Sequence, residues 1–297
     1  MAWGGAGQVA GKATAVSGYD CLVRAALVRV GVDQAFGGWN APVDPTTHEF
    51  VYVPIPDNVP FQPGLEMPYA SLRDALVEFS ETRECTKPSR VLLPDSLADS
   101  NMHLDPDFDC VTYGDDGNRR GKRIAEFSAG DVLVFYAGLR PCRPCEHTLV
   151  YAIIGLFRVA EVVRLRTVAR ADWARNAHTR RLAHRADDVI VRGVPGESGR
   201  LRRCLPIGEW RSRAYRVRQD LLGRWGDISC RDGYIQRSAV PPMFLDPARF
   251  LAWFEEQTPE LMPANNPSAG KSAGNAPVVV VLLRRPGSDD PRTDPLS

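Results

Sequence analysis

Hydrophobic and polar positions along this chain follow strand-like and helix-like periods in different places, and each period predicts an element. After the turn signal Gly130-Asp131, VLVFYAGL is a run of β-branched and aromatic residues with strand propensity. A connection rich in proline, cysteine and charge follows (Arg140–His147). LVYAIIGLFRVAEVV then reads as one long strand, or as two broken at Gly155. The nine residues Leu149–Phe157 carry no charge, as expected of a strand covered on both faces. This stretch, Ala129–Val163, is therefore expected to form the centre of the core.

The flanking patterns are weaker. LVRAALVRVGVD predicts a strand ending at Gly31–Asp33. Phe50–Val53 predicts a short strand inside a long loop that Pro42, Pro45, Pro54 and Pro56 keep from being helical. Helical spacing appears in Pro68–Phe79, through Leu72, Leu76 and Phe79, and in Ala171–His184. It is clearest in Asp246–Gln257, where Asp246 is an N-cap, Pro247 occupies the first turn, and Phe250, Trp253 and Phe254 share a face. Residues 189–204 read as a strand, a Gly/Ser/Pro turn and a second, basic strand. Residues 1–21 and 263–297 lack a period and are expected to be disordered. That leaves 22–262 as a single α+β domain with a mixed sheet or a barrel core and flanking helices.

Charge changes this picture. The net charge of +1 hides 16 Asp/Glu against 4 Lys/Arg between Asp33 and Asp116. It also hides 19 Arg against 9 Asp/Glu between Arg158 and Arg237. Such halves can neutralise each other across an internal interface, or the basic one can form a groove for phosphates. Lysine supplies only 4 of 37 basic residues, so the choice of arginine is not by itself a sign of bidentate phosphate recognition. Seven cysteines at irregular spacing suit reduced thiols and a cytoplasmic protein better than a disulfide framework. No apolar run approaches the roughly 18 residues of a membrane span.

Candidate chemistry lies in loops. His103, Asp105, Asp107 and Asp109 fall at odd positions and would share one face of an extended segment, where they could hold a divalent cation. Asp-Pro-Asp is equally a turn signal, and no metal ligand is assigned on this basis. Cys142-Arg-Pro-Cys145 with His147 is half a zinc site without a second half. His103, Asp105, Tyr113, Asp115 and His178 are the candidates for acid–base work. For binding a base or phosphate, the candidates are Trp39 and Asn40 at a glycine turn, Arg140 in the central connection, and Arg180 on the expected helix 171–184. Ser198 and Arg200 at a hairpin turn join them. So do Arg211, Tyr215, Gln236 and Arg237, where basic and aromatic residues interleave. No cofactor follows from these residues.

Two resemblances arise from these residues. GDVLVFY followed by YAIIGLFRVAEV resembles the strand pair of PUA-like barrels of the ASCH, EVE and YTH type, which implies a reader of modified bases. The succession LVRVGVD, GGWNAPVDP, FVYVPIP, HLDPDF, TYGD, GDVLVFYAGLRP, RNAHTRR, DVIVRG, SGRL, PIGEW and DGYIQRSAVPP resembles the family called nucleotide modification associated domain 3, over roughly Leu22–Asn265. That likeness implies a context of modified nucleobases and brings no catalytic residues. Together with the charge pattern, it leads to the expectation of a nucleic-acid- or nucleotide-binding protein whose ligand sits where the acidic and arginine-rich halves meet. The alternatives are an enzyme acting on a modified base or nucleotide and a non-catalytic protein-interaction module. Oligomeric state is open.

Overall fold

The structure, a computed structural model, describes residues 23–117, 121–237 and 240–266 and the backbone of 278–279. The expected leader 1–21 and nearly all of the tail after 266 lie outside the described residues. Asn265 and Asn266 belong to the folded body: the Asn265 amide donates to Asp107 Oδ1 at 3.0 Å, and Asn266 accepts from the Tyr52 N–H at 2.9 Å.

The first strands are β1 (Ala25–Arg29), β2 (Pro42–Val43), β3 (Ile55–Asp57), β4 (Asn101–His103) and β5 (Thr112–Asp115). The long central pair is β6 (Val132–Pro141) and β7 (Val150–Arg164). After them come β8 (Val189–Gly193), β9 (Gly199–Pro206), β10 (Gly208–Arg211), β11 (Ala214–Val217), β12 (Glu260–Met262) and β13 (Val278–Val279). The main sheet is mixed and runs β1-β6-β7-β9-β12-β13. The first pair is parallel, with Ala25 opposite Val132, and the central pair is antiparallel, with Leu133 opposite Phe157. LVYAIIGLFRVAEVV is thus one strand. Its first part pairs with β6 and β9, and its last part, Val159–Arg164, pairs with β8, which in turn carries β5. Among the described residues the sheet is branched and no closed barrel is found, so of the two expected cores the mixed sheet is the one observed.

Burial explains why β6 and β7 read as they do. Successive side chains of a strand point to opposite faces, and here both faces are covered. On one face Leu27, Val134, Tyr136, Ile153 and Leu156 pack against Trp225 of helix α5 (Gln219–Trp225) and Phe250 and Phe254 of helix α6 (Pro247–Glu256). Here α5 and α6 follow α1 (Arg73–Thr82) and three four-residue helices, α2 (Asp95–Ala98), α3 (Gly121–Ile124) and α4 (Ala177–Arg180). Asp246 caps α6 as expected, accepting from the Arg249 N–H at 3.1 Å. On the other face Val28, Leu133, Phe135, Ile154 and Phe157 meet Tyr52, Tyr69, Leu76 and Phe108, which come from α1 and from irregular segments. Phe108 sits edge-on to Phe135 and Phe157 at 5.9 and 5.6 Å.

Three local expectations are corrected. Phe50–Val53 forms no strand, and Phe50 makes only an isolated bridge to Val43. Residues 103–109 do not make one extended face, because β4 ends at His103 and Asp107 pairs backbone to backbone with Thr112 in a turn. The expected helix 171–184 is a 3-10 turn (Arg170–Arg175), a break at Asn176, and the single turn α4. Asn176 makes the break: its backbone is extended and its side chain accepts from the His178 N–H at 2.9 Å, a local bond that competes with helix.

Candidate functional site

The break at Asn176 turns His178 inward, against β5. There His103, Asp105 and His178 come together, each more than nine-tenths buried, with one ligand atom of each within 4.8 Å of the others. Asp105 is held by the Gly114 N–H of β5, which lies 2.9 Å from both carboxylate oxygens. Gly114 is required by close approach, since a Cβ there would stand 2.4 Å from His178 Cδ2. Each imidazole is oriented by a further carboxylate. His103 Nδ1 lies 2.9 Å from Asp57 Oδ2, and His178 Nδ1 lies 2.5 Å from Asp188 Oδ2. Both Nε2 atoms then face the same oxygen, Asp105 Oδ2, at 3.6 and 3.5 Å.

The two rings sit edge to face with centroids 4.9 Å apart, but in opposite electrostatic settings. Burial lowers the pKa of His103, and neighbouring His178 and Arg181 lower it further against the pull of Asp57 and Asp105. Burial also acts to lower His178, but the carboxylates of Asp105 and Asp188 outweigh it and raise that ring to about 9. Asp57 is itself held well below the usual carboxylate range: burial works to raise it, and the contacts to His103 and to the Arg181 guanidinium, 2.9 Å away, prevail.

This cluster lines a cavity of about 660 Å³. Tyr113, Gly114, Asp115 and Asp116 bound it from the β5 segment, and Arg29, Asp33 and Phe36 from the end of β1 and the following loop. Arg181, Arg185 and Arg237 bound it from the arginine-rich half. Tyr113 donates to Asp115 at 2.9 Å. Phe36 is 51% exposed. Arg185 and Arg237 are exposed, and among the described residues neither is held by a carboxylate. Three ion pairs among the described residues join the acidic stretch to the basic one, namely His178–Asp105, Arg180–Asp107 and Arg181–Asp57. Arg181 and the His178–Asp105 pair line the cavity, and Arg180–Asp107 lies beside them in sequence.

The structure thus brings together His103, Asp105, Tyr113, Asp115, His178 and Arg237, and places the other sequence candidates elsewhere. Trp39 is buried and donates to the Arg90 carbonyl at 3.0 Å, which makes it an anchor; Phe36, three residues earlier, is the aromatic at the cavity. Asn40 is buried on the Gly138 carbonyl, and the Arg140 backbone belongs to the β2–β6 pairing. Arg180 is buried on Asp107 at 2.7 Å, and Asp109 faces Asn265. Ser198 bonds the Arg158 N–H inside the sheet. Arg200 is buried over the Phe50 ring, where loss of solvent lowers its pKa to about 9. Arg211 is paired with Glu209 and Asp232, Tyr215 stacks on Tyr151 at 4.4 Å, and Gln236 accepts from the Tyr215 N–H. Cys142 is buried and pushed up to about 12 by burial and by Cys85, while Cys145 is exposed, so the two do not face a shared ligand. Asp57, Asp188, Arg29, Arg185 and Phe36 carry no sequence signal that marks them as site residues. The one local hint is Asp33, whose side chain accepts from the Ala35 and Phe36 N–H groups and so shapes the loop that presents Phe36.

The family model of nucleotide modification associated domain 3 matches residues 24–227. The chain belongs to that family. All of the residues that build the His–Asp cluster fall inside the matched span, and of the cavity residues Arg237 lies beyond it. No curated protein and no solved structure matches the chain. No helix among the described residues is long and apolar enough to cross a membrane.

Proposed function

We propose that this nucleotide modification associated domain binds a nucleotide, free or within a nucleic acid strand, in the cavity at the seam of the two halves. The observation that carries the reading is the lining itself. An exposed aromatic ring, Phe36, two exposed arginines that have no carboxylate partner among the described residues, Arg185 and Arg237, and a buried polar floor converge on one space of nucleotide size. Base recognition commonly combines a stacking surface with polar groups for the base edge, and arginines supply phosphate contacts. Several other arginines of the basic half are taken up in ion pairs, such as Arg216 with Asp232 and Arg218 with Asp220, whereas Arg185 and Arg237 stand at the cavity without one among the described residues. The six described cysteines are free, which suits a reducing compartment such as the cytoplasm.

A second reading, an enzyme acting on the bound base or nucleotide, is favoured by the floor. Two buried imidazoles with carboxylates on both sides are expensive to bury, and opposite protonation tendencies in adjacent histidines suit acid–base work. Fluorescence polarisation with labelled mononucleotides and short single strands, carrying ordinary and modified bases, tests the binding reading. Saturable binding that weakens in Phe36→Ala and in Arg237→Ala is expected. Absence of binding to every probe at low salt would end it.

A further inference from the structure

The convergence of His103 Nε2, His178 Nε2 and Asp105 Oδ2 asks for a positive charge among them. Each Nδ1 lies within hydrogen-bond distance of a carboxylate, Asp57 or Asp188, and that of His103 also lies 3.2 Å from Arg181 Nη2; with Nδ1–H donated to the carboxylate, each Nε2 carries a lone pair. Two lone pairs and a carboxylate oxygen then point at one another in a buried place, and such an arrangement is repulsive unless a cation lies between. A proton on one ring relieves only one of the two contacts. It also fits the distances poorly, since 3.5 and 3.6 Å exceed the hydrogen-bond range of about 2.7–3.2 Å. Ligand atoms held about 2.1 Å from one ion at tetrahedral or octahedral angles stand roughly 3.0–3.4 Å apart, close to the two Nε2–Oδ2 distances of 3.5 and 3.6 Å.

The surroundings repeat the pattern of a metal site one layer further out. Histidines that ligate metals usually donate the other ring nitrogen to a carboxylate, which fixes tautomer and orientation. Here both do. Asp105 is in turn held by the Gly114 N–H, so all three donor groups are positioned by bonds that leave one ligand atom each directed inward. Asp107 and Asp109, which the sequence places beside them, are committed to Arg180 and Asn265.

We propose that His103, His178 and Asp105 bind one divalent first-row transition ion at the floor of the cavity. Two imidazoles favour such an ion over magnesium or calcium. Three protein ligands leave positions open toward the cavity, where an oxygen of a bound molecule can reach the ion. The site goes beyond the nucleotide reading and does not depend on it.

The test titrates the chelator-stripped full chain with cobalt(II) alone, followed by zinc(II) as competitor, with no nucleotide present. The expected result is one ion per chain, with the visible d–d bands of a nitrogen–oxygen site and no thiolate charge-transfer band, reversed by zinc. His178→Ala abolishes the bands, and Asp188→Asn and Asp57→Asn each weaken binding by about 10–100-fold. Far-UV circular dichroism accompanies each variant, and should His178→Ala fail to fold, the two Asn variants carry the test. The proposal is overturned if the folded chain takes up no stoichiometric ion, if uptake proceeds through cysteine thiolate, or if both Asn variants bind as tightly as the parent. Failure here leaves nucleotide binding untouched, and the reverse also holds.

Discussion

The two faces of the β6–β7 pair do opposite things with the same strands. On the α5–α6 face the packing is almost wholly apolar and aromatic, with Trp225, Phe250 and Phe254 fully buried. The other face begins the same way, with Phe108, Phe135 and Phe157, but its outer layer comes from α1, short strands, single turns and irregular segments and buries Asp57, His103, Asp105, His178 and Asp188. Regular helices cover a sheet with little polar backbone left over. Loops bring turns, caps and carboxylates, and these place ionisable groups where water is excluded. Stability should therefore reside on the helical face and ligand chemistry on the looped one.

Substitutions can separate the two. The largest effect is expected for Phe250→Ala, a full truncation in the helical core, at about 3–5 kcal/mol of stability, read from the denaturant midpoint. Ligand affinity of the remaining folded fraction should be unchanged. If affinity falls as far as stability, the faces are not independent. Gly114→Ala comes next. Its methyl group must displace the His178 ring, at a cost of about 1–3 kcal/mol, with metal uptake lost at temperatures where the protein is still folded by circular dichroism. Wild-type uptake in this variant would mean that the close approach of β5 to His178 does not set the site.

Phe36→Ala should leave stability within about 0.5 kcal/mol of the parent and weaken binding of a base-containing ligand by about 1–3 kcal/mol. Equal losses for a ligand without a base, such as ribose 5-phosphate, would point away from stacking. The smallest effect is expected for Arg185→Ala, with unchanged melting and a salt dependence of oligonucleotide binding shallower by about one unit in the log–log slope. An unchanged slope removes Arg185 from the phosphate path.

What was legible in the chain follows the same division. The central strands and α6 were visible because their signals are local: an uncharged run, a turn residue, an N-cap followed by proline. His103, Asp105, Tyr113, Asp115 and His178 stood out by residue type, and they do share a space. Their organisation was not legible. His103 is oriented by Asp57, 46 residues earlier, and His178 by Asp188, which lies just before β8 across an irregular segment. By type Trp39 suits either a stacking platform or an anchor for its loop; the anchor is what is observed, and Phe36, in the turn that Asp33 caps, lines the cavity instead. The arginine count overstated the free charge, because Glu209, Asp220 and Asp232 neutralise their neighbours locally, which no count over a long window can register.

The central claim is that the seam cavity is where this nucleotide modification associated domain holds its ligand. Filter binding of a labelled single strand over a salt series, comparing the parent with the Arg185→Ala/Arg237→Ala double variant, tests it most directly. The account predicts retention by the parent at low salt, a steep fall as salt rises, and a weaker, flatter curve for the double variant with equal thermal stability. Indistinguishable curves, or no retention by the parent at any salt, would contradict it.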